Sequence, residues 1–227
     1  MNIEFKTKKL LIIVPHPDDE VLGAGGTIAK LSKDNWQIHA LVVSGHLPPL
    51  YSSKDFEITQ KEFKESARIL GINSYNFLKI PATQVDIYSK SKLNNKLYNI
   101  IEKFEPSILL IPFPDRHIDH RIIFEASLVA SRPIRSGAKI ELVASYETLS
   151  ETHWNAPYLE PNFMPNFNVD ISNEIEIKLD ALRCYKSQLD EFDSPRSVEA
   201  AKSLSRFRGS QCNFKFAESF VCLRLSL

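Results

Sequence analysis

The sequence predicts an α/β fold: a doubly wound, mostly parallel sheet with a C-terminal cap. Short apolar runs alternate with segments of helical periodicity through the first two thirds of the 227-residue chain. The connections between successive runs are long enough for right-handed parallel crossovers. The first run, Leu10 to Val14, has no polar alternation, which is typical of a central strand with both faces covered.

Each predicted strand is a short apolar run, at residues 10–14, 37–44, 75–80, 107–111, 140–145, 167–171 and 214–225. Predicted helices place apolar side chains three and four residues apart: one through Ile28 and Leu31 that ends near 34–35, then 56–70, 92–104, 122–130, 173–189 and 198–207. We expect one domain over 1–227, with an α/β core at 1–146 and a C-terminal loop, helices and closing strand at 147–227. Residues 151–165, rich in aromatics and proline, are predicted as an ordered loop.

Composition excludes several classes of protein. The 28 basic and 28 acidic residues give a net charge of zero, which disfavours a nucleic-acid partner. No apolar run is long enough to span a membrane, and no secretory signal pattern precedes the first strand. The cysteines form neither a CxxC pair nor a disulfide framework, so we expect free thiols and a cytoplasmic location.

A polar turn, Pro15-His16-Pro17-Asp18-Asp19-Glu20, follows the first strand. It places one imidazole and three carboxylates within five residues. Like charges at close range raise one another's pKa, so this cluster is unfavourable without a cation. The glycines that follow, Gly23-Ala24-Gly25-Gly26, predict a helix packed closely against the sheet.

A second polar cluster, Asp115-Arg116-His117-Ile118-Asp119-His120, follows the fourth apolar run. Open α/β sheets place their ligands at the carboxyl ends of parallel strands. We therefore predict that His16, Asp19 and His120 bind one metal ion. Nitrogen and oxygen donors without sulfur suit zinc or ferrous iron with open positions for water and substrate.

Neighbouring side chains suit hydrolysis at such a site. A metal would lower the pKa of water toward ~7 and polarise an amide carbonyl. Asp18, beside Asp19, is the candidate general base. His117 is three residues before His120, so we expect it to stabilise the oxyanion and protonate the leaving amine. Asp119 is predicted to orient His117 through the second ring nitrogen.

Simpler interpretations exist for each cluster taken alone. The aspartates of the first turn are suitable helix caps, and histidines near a helix start are common surface residues. Two such clusters after apolar strands favour the metal site. His46 follows the second strand and could line the pocket, but a position in the loop is the favoured interpretation. The glycine pattern lacks the full GxGxxG of a dinucleotide-binding turn.

With both clusters placed, the chain resembles the PIG-L/LmbE-like superfamily of metal-dependent de-N-acetylases. PHPDDE with GAGGT resembles the first motif of that family, and HIDH the second. The likeness continues through EFKESARILG at 62–71, Arg132-Pro133, YETLSETHW at 146–154, PNFNVDIS and the late RG…AESF stretch. It implies a Rossmann-like fold, zinc held by His16, Asp19 and His120, Asp18 as base, and assistance from His117 with Asp119.

Two positions depart from the family pattern. His46 follows Gly45 where family members commonly have Glu, and Ala82 stands where many have an acid after the third strand. Both lie in loops that we expect to border the substrate, so the departures concern substrate identity rather than metal chemistry.

These features predict a zinc-dependent hydrolase that removes the acetyl group from an N-acetylated amino sugar or its conjugate. An amidase acting on a larger acyl group and a non-catalytic metal- or sugar-binding module are the alternatives. Intact Asp18 disfavours the non-catalytic module. The expected partner is a small-molecule amino sugar, with no nucleic acid and no membrane span, and a homo-oligomer is compatible with the sequence.

Overall fold

The computed structural model describes residues 5–156, 158–191 and 193–226. In this part of the chain the strands are β1 (Lys9–Val14), β2 (Gln37–Gly45), β3 (Ser74–Pro81), β4 (Ile108–Pro112), β5 (Leu142–Tyr146), β6 (Phe167–Asp170) and β7 (Ala217–Leu225). They form one sheet in the order β3-β2-β1-β4-β5-β7-β6. The first five are parallel, and β7 is antiparallel to both of its neighbours. The predicted mostly parallel α/β sheet is confirmed.

The helices are α1 (Asp19–Lys33), α2 (Ser53–Leu70), α3 (Lys90–Phe104), α4 (Ile118–Ala130), α5 (Ile175–Leu182) and α6 (Val198–Ser210). Apolar side chains of α1, α2, α5 and α6 share one core cluster, and those of α3 and α4 share a second. The two clusters lie on opposite faces of the sheet. Strand β1 supplies both, since Leu10 and Ile12 enter the first and Leu11 and Ile13 the second. Burial on both faces explains why every residue from Leu10 to Val14 is apolar.

Helix α1 is interrupted at Ala24, which has the non-helical φ of −143°. The interruption frees the N–H groups of Gly26 and Thr27, which donate to the buried carboxylate of Glu218 at 2.9 and 2.7 Å. Lys178 from α5 pairs with the same carboxylate at 2.6 Å. The carboxylate thus caps a second helix start, and it ties α1 to β7 and α5.

The sheet topology creates a crevice beside β1. This strand pairs with β2 on one side and with β4 on the other, so the connections that leave β1 and β4 run in different directions. The register places Leu10 opposite Ile108 and Ile12 opposite Leu110. The polar turns after β1 and β4 therefore meet at one edge of the sheet, at a topological switch point.

The helix predicted at 173–189 is wrong in its bounds, because α5 ends at Leu182. The chain then continues in turns, in which Ser187 donates to the Glu62 carboxylate through its backbone N–H at 2.9 Å and its hydroxyl at 2.6 Å. These contacts with α2 hold residues after 182 in a path that a straight helix could not follow. Within the described residues, no helix combines the length and apolarity that crossing a membrane requires. Cys184, Cys212 and Cys222 are all free.

Candidate metal centre and its cleft

The turn between β1 and α1 is held by its own hydrogen bonds. The backbone N–H of His16 donates to Asp19 Oδ2 at 2.9 Å, and the N–H of Asp19 donates to the carbonyl of His16 at 3.2 Å. Asp18, at the start of α1, has φ of 116°, a left-handed conformation that is unusual for a residue other than glycine. Its side chain lines the cleft but is only 7% exposed.

The turn between β4 and α4 is organised by Asp115, which is fully buried. Its Oδ1 accepts the backbone N–H of His117 at 3.0 Å. Its Oδ2 lies 3.0 Å from His120 Nδ1 and accepts the hydroxyl of Thr152 at 2.9 Å. Asp115 therefore fixes the ring of His120 and the backbone of His117 together.

The predicted ligands come together at the crevice. Asp19 Oδ2 lies 3.4 Å from His16 Nδ1 and 3.4 Å from His120 Nε2. One ring nitrogen each of His16, His117 and His120 also lies within 4.8 Å of the others, a group that could hold a metal ion. The geometry thus offers two overlapping donor sets, which differ in whether Asp19 or His117 completes the histidine pair.

The hydrogen bond made by His117 bears on that choice. His117 caps α4, and its Nδ1 accepts the backbone N–H of Asp119 at 3.2 Å. A neutral imidazole that accepts at Nδ1 carries its proton at Nε2, so that atom faces the cleft as a donor rather than as a ligand. We therefore favour His16, Asp19 and His120 as the donor set.

The predicted carboxylate contact between Asp119 and His117 is wrong. Asp119 Oδ2 instead lies 2.9 Å from His16 Nε2 and accepts the backbone N–H of Thr83 at 2.8 Å, while Oδ1 accepts that of Val85 at 3.3 Å. Amides of the loop after β3 attract the carboxylate away from His117, whose Nδ1 is occupied by the helix cap. Asp119 therefore supports His16 with its side chain and His117 with its backbone.

The donor set fits a divalent cation. His120 Nε2 is buried and has no hydrogen-bond partner among the described residues. A carboxylate faces the far nitrogen of each ligand histidine, Asp119 for His16 and Asp115 for His120. This arrangement places the imidazole proton on the carboxylate side and leaves a lone pair toward the cleft, as in metal-binding histidines generally.

The electrostatics of the cluster also favour positive charge at its centre. Burial lowers the pKa of His16, but the hydrogen bonds with Asp119 and Asp19 outweigh it and raise the pKa to about 9. Burial opposes charge on His120 as well, yet Asp19 and Asp115 raise its pKa well above the ordinary value. A bound cation would place positive charge at the same point, next to the carboxylates that raise these two pKa values.

The pKa values of His117 and Asp18 shift in opposite directions, so each neutral form is favoured. Burial, followed by His16 and His120, lowers the pKa of His117 to about 4. Burial and the neighbouring Asp19 raise the pKa of Asp18 well above its ordinary value.

The cleft has two walls. The inner wall carries the predicted chemistry and consists of His16, Asp18, Asp19, His117 and His120. The outer wall consists of His46, Tyr51, Ala82, Thr83, Thr148, Glu151, Gln188 and Arg196. His46 therefore lines the cleft from the loop after β2, as expected for a loop that borders the substrate. Its ring lies 4.2 Å from that of Tyr51, centroid to centroid, so two aromatic side chains after β2 lie together on this wall.

Sequence reasoning missed the outer-wall residues that come from the C-terminal third. Arg196 Nη2 donates to Glu151 at 3.0 Å, and Arg116 Nη1 lies 3.4 Å from the other oxygen of that carboxylate. Gln188 and Arg196 also border a second cavity, with Asp55, Ile58, Thr59 and Ser187. No periodicity or motif marks Gln188 and Arg196 as site residues, because they lie in the turns between α5 and α6.

Comparison with known proteins agrees with this geometry. Residues 11–131 match the protein family described as PIG-L: GlcNAc-PI de-N-acetylase. This range contains both polar turns.

Similar proteins extend the match over most of the chain. A diacetylchitobiose deacetylase from Thermococcus kodakarensis is 29% identical over 228 residues, which cover 93% of this chain and 81% of that protein. A probable N-acetyl-α-D-glucosaminyl L-malate deacetylase 2 from Bacillus cereus is 25% identical, with 81% and 84% covered. The structure of the N,N'-diacetylchitobiose deacetylase from Pyrococcus horikoshii, in complex with an inhibitor, aligns with a TM-score of 0.76 at 26% identity, covering 96% of this chain and 84% of that chain.

Proposed function

The chain belongs to the PIG-L family, and from this premise we propose that it is a metal-dependent hydrolase that removes the acetyl group from an N-acetylated amino sugar or its conjugate. The observation that carries the proposal is the convergence of His16 Nδ1, Asp19 Oδ2 and His120 Nε2 beside the carboxylate of Asp18. Zinc suits this donor set, and ferrous iron is the second candidate.

A metal held by His16, Asp19 and His120 would supply one part of the chemistry: it would lower the pKa of bound water and polarise the amide carbonyl. Asp18 supplies the base. Its carboxylate lines the cleft next to Asp19, so it can accept the proton of the attacking water. That proton is then available to the leaving nitrogen.

His117 supplies the hydrogen bond to the oxyanion. Because its Nδ1 accepts the Asp119 N–H, its Nε2 proton points toward the cleft, where charge develops on the former carbonyl oxygen. Because this ring is neutral, the leaving amine takes the proton that Asp18 accepted, in place of the transfer from His117 that the sequence predicts. Asp119 contributes by holding the cap of His117 and the ring of His16.

The substrate class follows from the relatives and from the outer wall. The relatives are named for deacetylation of diacetylchitobiose and of an N-acetylglucosaminyl malate, which share an acetylated amino sugar. The outer wall offers hydroxyl, amide, carboxylate and guanidinium groups together with the ring of Tyr51. Such a mixture suits a polyhydroxylated ligand with apolar ring faces.

Acetate release from a panel of N-acetyl sugars tests the proposal. The panel contains N-acetylglucosamine, N,N'-diacetylchitobiose and an N-acetylglucosaminyl conjugate, each matched by its N-butyryl analogue. We expect acetate and free amine in equal amounts from metal-loaded protein, and at most a small fraction of that rate from the Asp18→Asn variant. Faster release of butyrate would favour the larger-acyl amidase, and binding without release of either acid would favour a non-catalytic module.

A further inference from the structure

Glu20, the third carboxylate of the PHPDDE turn, has no part in the proposed chemistry. It is fully buried, 0% exposed, and it is not among the residues that line the cleft. Its Oε1 accepts hydrogen bonds from the hydroxyls of Tyr185 and of Ser66, the second at 3.2 Å. Its Oε2 accepts the backbone N–H of Asp18 at 3.2 Å. Tyr185 and Ser66 are also 0% exposed.

The bond to Asp18 falls on a strained residue. Asp18 has φ of 116° and ψ of −28°, a conformation that a residue with a side chain adopts at a cost and keeps only where the surroundings hold it. Its carbonyl accepts the N–H groups of Val21 and Leu22 at 3.1 and 3.0 Å, which fixes one side of the residue to α1. Glu20 fixes the other side, at the N–H.

The partners of Glu20 come from distant parts of the chain. Ser66 lies on α2, and Tyr185 lies in the turns that follow α5. The carboxylate therefore links the backbone of Asp18 to α2 and to the turns that follow α5. Tyr185 lies three residues beyond the end of α5, in the part of the chain that departs from the predicted helix.

We propose that Glu20 and Tyr185 are positioning residues, which hold the strained backbone of Asp18 so that its carboxylate faces the reacting water. The proposal rests on the proposed role of Asp18 as the base. If these hydrogen bonds only stabilised the fold, removing them would lower kcat by the same factor whether or not Asp18 is present.

A double-mutant cycle separates these two roles. Tyr185→Phe removes one hydroxyl and keeps the packed volume. We expect it to lower kcat about tenfold with KM and metal content unchanged, because a misplaced base is costly. In an Asp18→Asn background, which has no base to position, the same change should have no further effect on kcat. An equal loss of kcat in both backgrounds overturns the proposal.

Tyr146→Phe is the matched control. The Tyr146 hydroxyl is as deeply buried and donates to the carbonyl of Ile13 at 2.7 Å, on the same strand that leads to the turn. We expect this variant to keep kcat within about twofold of the wild type, with any loss of stability similar to that of Tyr185→Phe. Glu20→Gln retains an oxygen acceptor for the Asp18 N–H and should keep more activity than Glu20→Met, which has none.

Amide hydrogen exchange tests the geometry without turnover. In Tyr185→Phe and Glu20→Met, the Asp18 amide should exchange at least about tenfold faster than in the wild type, and Tyr146→Phe should leave it unchanged. If the Asp18 amide exchanges equally in all variants, the proposal is wrong whatever the activity. Full activity of Asp18→Asn together with faster exchange would instead reject the assignment of the base and leave the backbone contact established.

Discussion

The two walls of the cleft differ in how their side chains are held. On the inner wall each histidine proposed as a metal ligand has a buried carboxylate at its far nitrogen, Asp119 behind His16 and Asp115 behind His120. On the outer wall Tyr51 is 37% exposed and the Arg196 side chain 35%, and the residues come from several separate loops. Bond cleavage needs donors fixed within fractions of an ångström, whereas recognition of a ligand tolerates side chains that adjust.

This difference predicts a division of effects. Inner-wall substitutions should abolish metal binding or turnover for every substrate, and outer-wall substitutions should change which substrate is preferred. Variants of His120, His117, Asp119 and Tyr51 test that division.

His120→Ala should have the largest effect. It removes the buried Nε2 atom, which lies 3.4 Å from Asp19 Oδ2. The variant should therefore lose bound metal, and its rate should fall more than about a thousandfold. Metal analysis and acetate release check this on one preparation. His39→Ala is the control. His39 is also buried, but it contacts Ser74 on β3, so this variant should still bind the metal.

His117→Ala should keep the metal and lose about a hundredfold or more in rate, the effect of a lost hydrogen-bond donor to the oxyanion. His117→Gln retains an N–H donor, so it should recover part of the rate if hydrogen bonding to the oxyanion is the main role. Loss of metal equal to that of His120→Ala would place His117 among the ligands and would contradict the tautomer argument.

Asp119→Asn should weaken metal binding about 10- to 100-fold, because it removes the carboxylate behind His16. Titration of the metal-free protein with zinc measures the change. At saturating zinc the rate should largely return. A rate that stays low at full occupancy, with unchanged zinc affinity, would mean that the carboxylate acts on catalysis rather than on His16.

Tyr51→Ala should have the smallest effect on chemistry. Removing an exposed ring from the outer wall should raise KM by up to about tenfold and alter the ratio of rates between free and conjugated sugars. The metal content and kcat on the best substrate should be unchanged. A loss of kcat with the metal still bound would remove the distinction between the two walls.

The inner wall could be predicted from sequence because residues that directly follow neighbouring parallel strands lie together at one edge of the sheet. His16 and Asp19 follow one apolar strand and His120 follows another, so parallel pairing of β1 with β4 brings them together. The direction of each carboxylate was not predictable. The Asp119 carboxylate faces His16 because the backbone N–H groups of Thr83 and Val85 donate to it there. No sequence pattern predicts that this loop contacts Asp119.

The outer wall could not be predicted for a related reason. Gln188 and Arg196 lie in turns between α5 and α6, where side-chain direction follows from tertiary contacts such as Ser187 with Glu62. Helical periodicity continues in the sequence past Leu182, but these contacts end the helix. Glu20 was visible in the motif, yet its partner Tyr185 is 165 residues away.

Substitution of the adjacent aspartates tests whether Asp18 is the base and Asp19 a metal ligand. Metal content and acetate release are measured on the same preparations of Asp18→Asn and Asp19→Asn. Asp18→Asn should bind metal like the wild type and lose most of its turnover, since an amide cannot accept the proton of water. Asp19→Asn should lose the metal itself. If the two variants are alike in both metal content and rate, the assignment of Asp18 as base and Asp19 as ligand is contradicted.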